Sequence, residues 1–139
     1  MSDVDLLTRL VAAQHAAIAG YAVLGAQLPP STRSAAVAAY DAHRSSRDAL
    51  SDQLRARHAP VPDPAPAYDV QVAGARRALA LAVQLEEGLA GLWLDLVAGA
   101  SDQPLRAVGV AGLTEVAVRA ASWRVRAGRR PATVALPGS

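Results

Sequence analysis

The sequence predicts an all-α fold, a four-helix bundle with one long connection between its second and third helices. Apolar residues recur at three- and four-residue spacing through four long segments, which is the spacing of helices that bury one face. Proline or glycine follows each segment, and these residues end helices. No stretch alternates apolar and polar residues as a half-buried strand does. The 139 residues fit one domain.

The first two helices are bounded by proline. The first helix is predicted from about Asp3 to Leu28 and ends at Pro29-Pro30, because proline cannot continue a helix. Ser31 or Thr32 is predicted to cap the second helix, since a hydroxyl there accepts from the free amides of the first turn. That helix is expected to end near His58.

The last two helices are bounded by glycine. The third is predicted from about Val72 to Ala98, and Ser101 or Asp102 is predicted to cap the fourth. The bundle is therefore expected to occupy residues 1–127. Residues 128–139 are predicted to form a flexible C-terminal tail.

The connection from Ala59 to Gln71 is rich in proline, with a proline at every second position from 60 to 66. Thirteen residues in polyproline geometry reach about 40 Å. A helix of about 26 residues has the same length. The connection therefore predicts a crossover along the whole bundle, where a hairpin would need only a few residues.

The composition limits the possible chemistry and partners. Cysteine and lysine are absent, which excludes disulfides, thiolate metal sites and cysteine nucleophiles. The abundance of alanine and arginine suggests a bacterial coding bias, and a cytoplasmic location is expected because nothing marks an oxidising compartment. The net charge is only +2, and no aromatic residues interleave with the arginines that end the fourth helix. No nucleic-acid partner is therefore expected.

One uncharged span lies between Arg9 and Arg33 and is long enough to cross a bilayer. It contains Gln14, His15 and many alanines, which contribute little to insertion. No membrane association is expected.

Five polar residues fall on faces that are predicted to be buried. At 100° per residue, Gln14 lies in the apolar stripe of the first helix, Tyr40, His43 and Arg47 share the core face of the second, and Glu86 lies on that of the third. Each is near the middle of its helix, so we expect them to meet at one level. The fourth helix is expected to contribute none.

Two runs of sequence, AYDAHRSSRDAL and QLEEGLAGLW, resemble an uncharacterised bacterial family of short ferritin-like proteins. The resemblance covers the chain from the first helix to about Arg124. It implies a ferritin-like bundle, and for that superfamily a di-iron or di-manganese site built from carboxylates and Glu-x-x-His pairs.

The chain departs from this metal-site pattern. It contains no Glu-x-x-His, Gln14 stands in place of the first carboxylate, and Tyr40 stands three residues before His43 where an acid is expected. Only Glu86 matches. We therefore expect no cofactor and a metal-free cluster in which Arg47 pairs with Glu86, because divalent metals need anionic oxygens.

Three functional hypotheses follow, and the first is a structural scaffold. It would form a homodimer through Gly88, Gly91 and Leu92, where small residues let helices approach closely. No phosphate-binding loop, nucleophile elbow or His-Glu-x-x-His is present. Enzyme activity therefore has little support.

Two alternatives stay open. A degenerate metal-binding oxidoreductase would hold iron or manganese with His15, His43 and Glu86. An adaptor would instead dock on a protein partner through its C-terminal tail, where Thr133 to Pro137 is apolar.

Overall fold

The computed structural model describes all 139 residues and contains only helices, which confirms the predicted fold class. No helix combines the length and apolar character needed to span a bilayer. The four helices are α1 (Asp3–Gly25), α2 (Pro30–Ala56), α3 (Ala75–Gly99) and α4 (Gln103–Arg126).

The helix starts differ in how they are capped. Ser2 and Asp5 form a capping box at α1, and the Asp102 side chain accepts from the Leu105 amide at 2.8 Å, which confirms Asp102 as the α4 cap. The predicted Ser31 or Thr32 cap is wrong. The α2 helix already begins at Pro30, because the fixed φ of proline suits the first helical position.

Two boundaries are shorter than predicted. The α1 helix ends at Gly25, and residues 26–28 form a tight turn instead of a last helical turn. The Arg33 guanidinium donates to the carbonyl oxygens of Gly25 at 3.2 Å and Leu28 at 3.0 Å, which satisfies the free end of α1. The α3 helix begins at Ala75 after Gly74, whose φ of +83° suits glycine.

Two hydrogen bonds define how the helices run. The Gly74 amide donates to the Gln27 side chain at 3.1 Å, so α3 starts beside the α1–α2 turn. The Ser101 amide donates to Asp3 at 2.9 Å, so the α3–α4 turn lies beside the start of α1. We call these the upper end and the lower end. The α2 and α3 helices therefore run in the same direction, and residues 57–74 return along the bundle, which confirms the crossover.

The crossover passes alongside α1. The ring Nε2 of His15 lies 3.1 Å from the carbonyl oxygen of Pro62, near the middle of both segments. A stiff, extended, proline-rich segment thus spans the length of the bundle, which a short hairpin connection could not do.

Packing is tight between α1 and α2, α1 and α3, and α3 and α4. The core divides into a lower cluster, built around Leu10, Leu50 and Trp93, and an upper cluster around Tyr21 and Trp123. The α2 and α4 helices are farther apart, with a cleft of about 690 Å³ between them whose lining includes four alanines. Polar residues occupy the level between the two clusters.

The C-terminal segment, residues 128–139, turns at Gly128 and lies against α3 and α4. The Arg124 guanidinium donates to the carbonyl oxygen of Ala132 at 3.1 Å, and Gly138 packs against the backbone of Ala90 and Gly91. Its flexibility stays a prediction, but the segment covers part of the α3 surface.

Candidate functional site

Five side chains from all four helices form a polar group at mid-height, which we call the central cluster. Helix α1 supplies Gln14 and Tyr21, α2 supplies His43, α3 supplies Glu86 and α4 supplies Arg119. All but Arg119 are buried, and its side chain is only 18% exposed. Such a cluster is stable only if its polar atoms are paired.

Glu86 is the centre of the cluster, and three donors surround its carboxylate. Oε1 accepts from the Tyr21 hydroxyl at 2.6 Å and lies 2.8 Å from Nε2 of His43. Oε2 lies 3.4 Å from Nη1 of Arg119. The buried negative charge is therefore compensated by a guanidinium on one side and by two shorter hydrogen bonds on the other.

His43 links Glu86 to Gln14. Its Nδ1 lies 2.7 Å from Oε1 of Gln14, so with this amide orientation both ring nitrogens donate and the ring carries a positive charge. The opposite amide orientation would require a neutral ring that accepts at Nδ1. The charge of His43 and the orientation of Gln14 are therefore coupled. The Gln14 amide nitrogen is buried without a partner.

Tyr21 is held as a hydrogen-bond donor. Burial raises the pKa of its hydroxyl far above the ordinary value of 10.0, and the charge of Glu86 and the hydrogen bond to it raise the pKa further. Arg119 and the Trp123 indole act weakly in the opposite direction. The Tyr21 ring stacks on His43 with centroids 5.4 Å apart and lies 6.1 Å from the Trp123 ring.

Three of the five residues predicted to be buried together, Gln14, His43 and Glu86, meet in the cluster. Tyr40 is half-buried and lies under the Arg44 guanidinium, 5.7 Å from its ring centroid. The predicted Arg47–Glu86 pair is wrong.

Arg47 instead pairs with Asp48, with Nη2 and Oδ1 2.9 Å apart. Its backbone lies on the predicted face, but the long side chain extends to water, which avoids the cost of burying its charge.

Two members of the cluster were missed from the sequence. The expectation that the fourth helix contributes none is wrong, because Arg119 of α4 lies 3.4 Å from Glu86 and 3.8 Å from Glu115. It lies one helical turn from the buried Trp123 on the same side of α4, which was the available signal. For Tyr21 the available signal was that a tyrosine on a buried helix face needs a partner for its hydroxyl.

The residues do not fit a di-metal carboxylate site. No group of three or more His, Cys, Asp or Glu side chains lies close enough to hold a metal ion. His15 faces the crossover at Pro62. Glu86 is the only carboxylate in the cluster, and its oxygens face Tyr21, His43 and Arg119, whose fixed positive charge opposes a bound cation.

A second buried charge lies higher on α4. The Arg124 guanidinium donates to Oε1 of Glu87 at 2.8 and 3.2 Å and to the C-terminal segment at Ala132. A cleft of about 580 Å³ lies between α3, α4 and this segment. Arg124 therefore couples the bundle to the position of the C-terminal segment.

The fold and the central cluster define an all-α four-helix protein with a buried ion-pair network. The chain belongs to the family described as "Domain of unknown function (DUF4439)", whose model matches residues 7–139. It is similar to the solved structure described as "Crystal structure of a conserved hypothetical protein, rv2844, from Mycobacterium tuberculosis", with 34% identity and a TM-score of 0.87 over 97% of this chain and 96% of that chain. No curated protein sequence matches it.

Proposed function

We propose that the protein is a ferritin-like scaffold that functions without a metal ion and works by association with a second copy of itself. Its connectivity, with two short turns and one long crossover, is typical of ferritin-like bundles. This connectivity and the sequence resemblance support the fold assignment, and the chemistry of the central cluster supports the absence of a metal role.

The main observation behind the metal-free proposal is that hydrogen-bond donors of the protein occupy the whole carboxylate of Glu86. Both of its oxygens face donors from the other three helices. A metal ion would have to displace these donors and overcome the charge of Arg119. The same contacts join all four helices at one level, which is the role expected of a structural cluster.

The α4 surface supports association. Val110, Val118 and Val125 are 50%, 68% and 65% exposed, on one side of the helix. Between them this side presents only small uncharged residues: Ala107, Ala111, Thr114 and Ser122. We call it the α4 valine face. Apolar surface of this kind on a small protein is typical of a contact site.

The α4 valine face fits a second copy because it carries no charge that would demand a complementary partner. The 24 residues of α4 extend about 36 Å, which corresponds to roughly 400 Å² of strip for each copy. A stable interface needs about 800 Å² for each partner. The adjoining α2–α4 cleft, which is lined by four alanines but also by Glu115, Arg119 and Arg126, supplies further surface for a second copy.

The dimer surface predicted from the sequence is less suitable. The C-terminal segment lies against Gly91, and Leu92 packs against the lower core cluster. Only Gly88 remains open. We therefore propose α4 as the association surface.

Light scattering on the purified protein, with and without chelator, tests the proposal. We expect a dimeric mass in both conditions, less than about a tenth of an equivalent of bound iron or manganese, and no rise in the melting temperature when either ion is added. Val118→Arg should yield a monomer with an unchanged melting temperature. Val37→Arg adds the same charge at a 54% exposed valine on α2 and should stay dimeric.

Two outcomes would overturn the proposal. Stoichiometric metal that stabilises the protein would establish a metal site and restore the oxidoreductase alternative, with Glu86 as the first ligand to test. A monomeric mass at all concentrations, or equal effects of Val118→Arg and Val37→Arg, would remove the α4 valine face as a dimer contact.

A further inference from the structure

The tertiary structure gathers arginines at the upper end of the bundle. The α1–α2 turn, the start of α3 and the end of α4 all lie there. Six exposed arginines lie in or next to these segments, and we call them the arginine end: Arg33, Arg76, Arg77, Arg126, Arg129 and Arg130. None of the six forms an ion pair, although Arg33 already donates to the carbonyl oxygens of Gly25 and Leu28.

Few acids balance the charge at this end. Residues 20–40, 74–85 and 119–131, which build most of the upper end, contain no aspartate or glutamate, and the exposed Asp41 and Asp69 lie just outside these segments. The two other arginines in these segments, Arg119 and Arg124, are already paired with Glu86 and Glu87. The lower end is nearly neutral, with five aspartates and four arginines in residues 2–9, 50–59 and 95–106. The net charge of +2 is therefore distributed very unevenly.

Two of these arginines lie where a positive charge destabilises the helix. Arg76 and Arg77 lie in the first turn of α3, where the helix dipole disfavours positive charge and where no acid is present. The helices that begin at the lower end show the opposite arrangement, with Asp3 and Asp5 in the first turn of α1 and Asp102 as the cap of α4. Helix stability does not account for Arg76 and Arg77, and neither guanidinium has a hydrogen-bond or ion-pair partner within the chain, so both are available to an external anion.

We infer that the arginine end binds the phosphate backbone of double-stranded nucleic acid without reading its sequence. The planar guanidinium pairs with phosphate through two parallel hydrogen bonds. With neighbouring helices 8–10 Å apart, the end of the bundle is roughly 20 Å wide, so it spans a length of duplex that carries about a dozen phosphate charges on its two strands together, at one per 1.7 Å.

The residues around the arginines favour double-stranded nucleic acid over single-stranded nucleic acid and over a membrane surface. Single-stranded nucleic acid is bound through exposed aromatic rings, whereas Tyr21 and Trp123 at this end are buried. A membrane surface is usually engaged by exposed aromatic or long apolar side chains as well as by cations. The apolar side chains that the upper end exposes are small ones, namely valine, alanine and proline. Contacts between arginine and phosphate are therefore the interactions that this end offers to a partner.

The test is fluorescence anisotropy of a labelled DNA duplex of about 20 base pairs at salt concentrations from about 50 to 200 mM. We expect binding that weakens steeply with salt and does not depend on the sequence of the duplex. The double variant Arg76→Gln/Arg77→Gln should weaken binding at least about tenfold at low salt and reduce the salt slope by about two. Its melting temperature should equal or exceed that of the wild type, because the removed charges oppose the helix dipole.

A matched control removes the same charge from the other end. Arg9 and Arg55 lie towards the lower end, and Arg9→Gln/Arg55→Gln should leave the affinity within about twofold. Equal losses in the two double variants would show that only net charge matters and would overturn the proposal. Absence of duplex binding at low salt would overturn it too, as would binding to phosphatidylserine vesicles without binding to duplex.

Discussion

Glu86 belongs to α3 and accepts from side chains on α1, α2 and α4, so one carboxylate connects the whole bundle. A buried ion pair of this kind adds little net stability compared with an apolar core, but losing one partner leaves a charge unpaired. The strength of each contact is therefore best measured by removing a single donor. Tyr21 is suitable because its hydroxyl can be deleted without changing the ring.

Tyr21→Phe should lower the free energy of unfolding by about 1.5–3 kcal/mol, because it removes a 2.6 Å hydrogen bond to a buried charged acceptor. Urea denaturation followed by circular dichroism measures the change. Tyr40→Phe is the matched control, since Tyr40 is half-buried and lies outside the central cluster, and it should cost less than about 0.5 kcal/mol. Equal costs at the two positions would contradict a structural role for the Tyr21 hydroxyl.

Helix pairs in this bundle approach closely where a glycine faces a large side chain. Gly112 on α4 lies directly under the Trp93 indole of α3, and a methyl group there would overlap three ring atoms. Gly88 on α3 is exposed, and a methyl group there would meet nothing. Replacing glycine by alanine should therefore have opposite effects on the stability of the protein at these two positions.

Gly112→Ala should lower the free energy of unfolding by about 1–3 kcal/mol, because the indole must shift in a packed core. Gly88→Ala should raise it by about 0.5–1 kcal/mol, because alanine is the better helix former where no contact opposes it. Chemical denaturation of both variants gives the comparison. A stabilising Gly112→Ala would mean that α3 and α4 are not packed as closely as the structure shows.

At the scale of the whole molecule, the lower end is closed by a contact between residues 98 positions apart. Asp3 accepts from the side chain and the amide of Ser101, which ties the start of α1 to the α3–α4 turn. The Ser101 side-chain hydrogen bond lowers the pKa of Asp3 below 3.8, helped by the Ser101 amide and the charge of Arg57, while partial desolvation opposes the shift. Because the folded-state pKa is depressed, this stabilisation is present above about pH 4 and is lost as the pH falls through the lower folded value.

Asp3→Asn should lower the melting temperature at neutral pH, and the difference from wild type should shrink towards zero as the pH falls through the lowered pKa of Asp3, where Asp3 itself becomes neutral. Calorimetry across this pH range measures the effect. Asp63→Asn, on the exposed crossover, removes the same charge without a hydrogen-bonded partner and should show no such difference. A difference for Asp3→Asn that persisted unchanged in acid would exclude the charge of Asp3 as its origin.

The helices, the crossover and the burial of Gln14, His43 and Glu86 could be predicted because each depends on local information. Helical periodicity shows which face is apolar, and a proline-rich segment has a length that can be compared with a helix. The partner of Glu86 could not be predicted. Arg47 and Arg119 both have long side chains that can turn inward or outward, and the space left by neighbouring helices decides between them.

The amino-acid sequence is enough to predict an all-α bundle with one crossover and a polar level in its middle. Which charges lie together depends on how the helices pack in three dimensions. Arg33, Arg76 and Arg126 are separated by more than forty residues along the chain at each step, so their meeting depends on the direction in which each helix runs. Electrostatic interactions act through space and sum over such groups, so the net charge gave no indication of the arginine end.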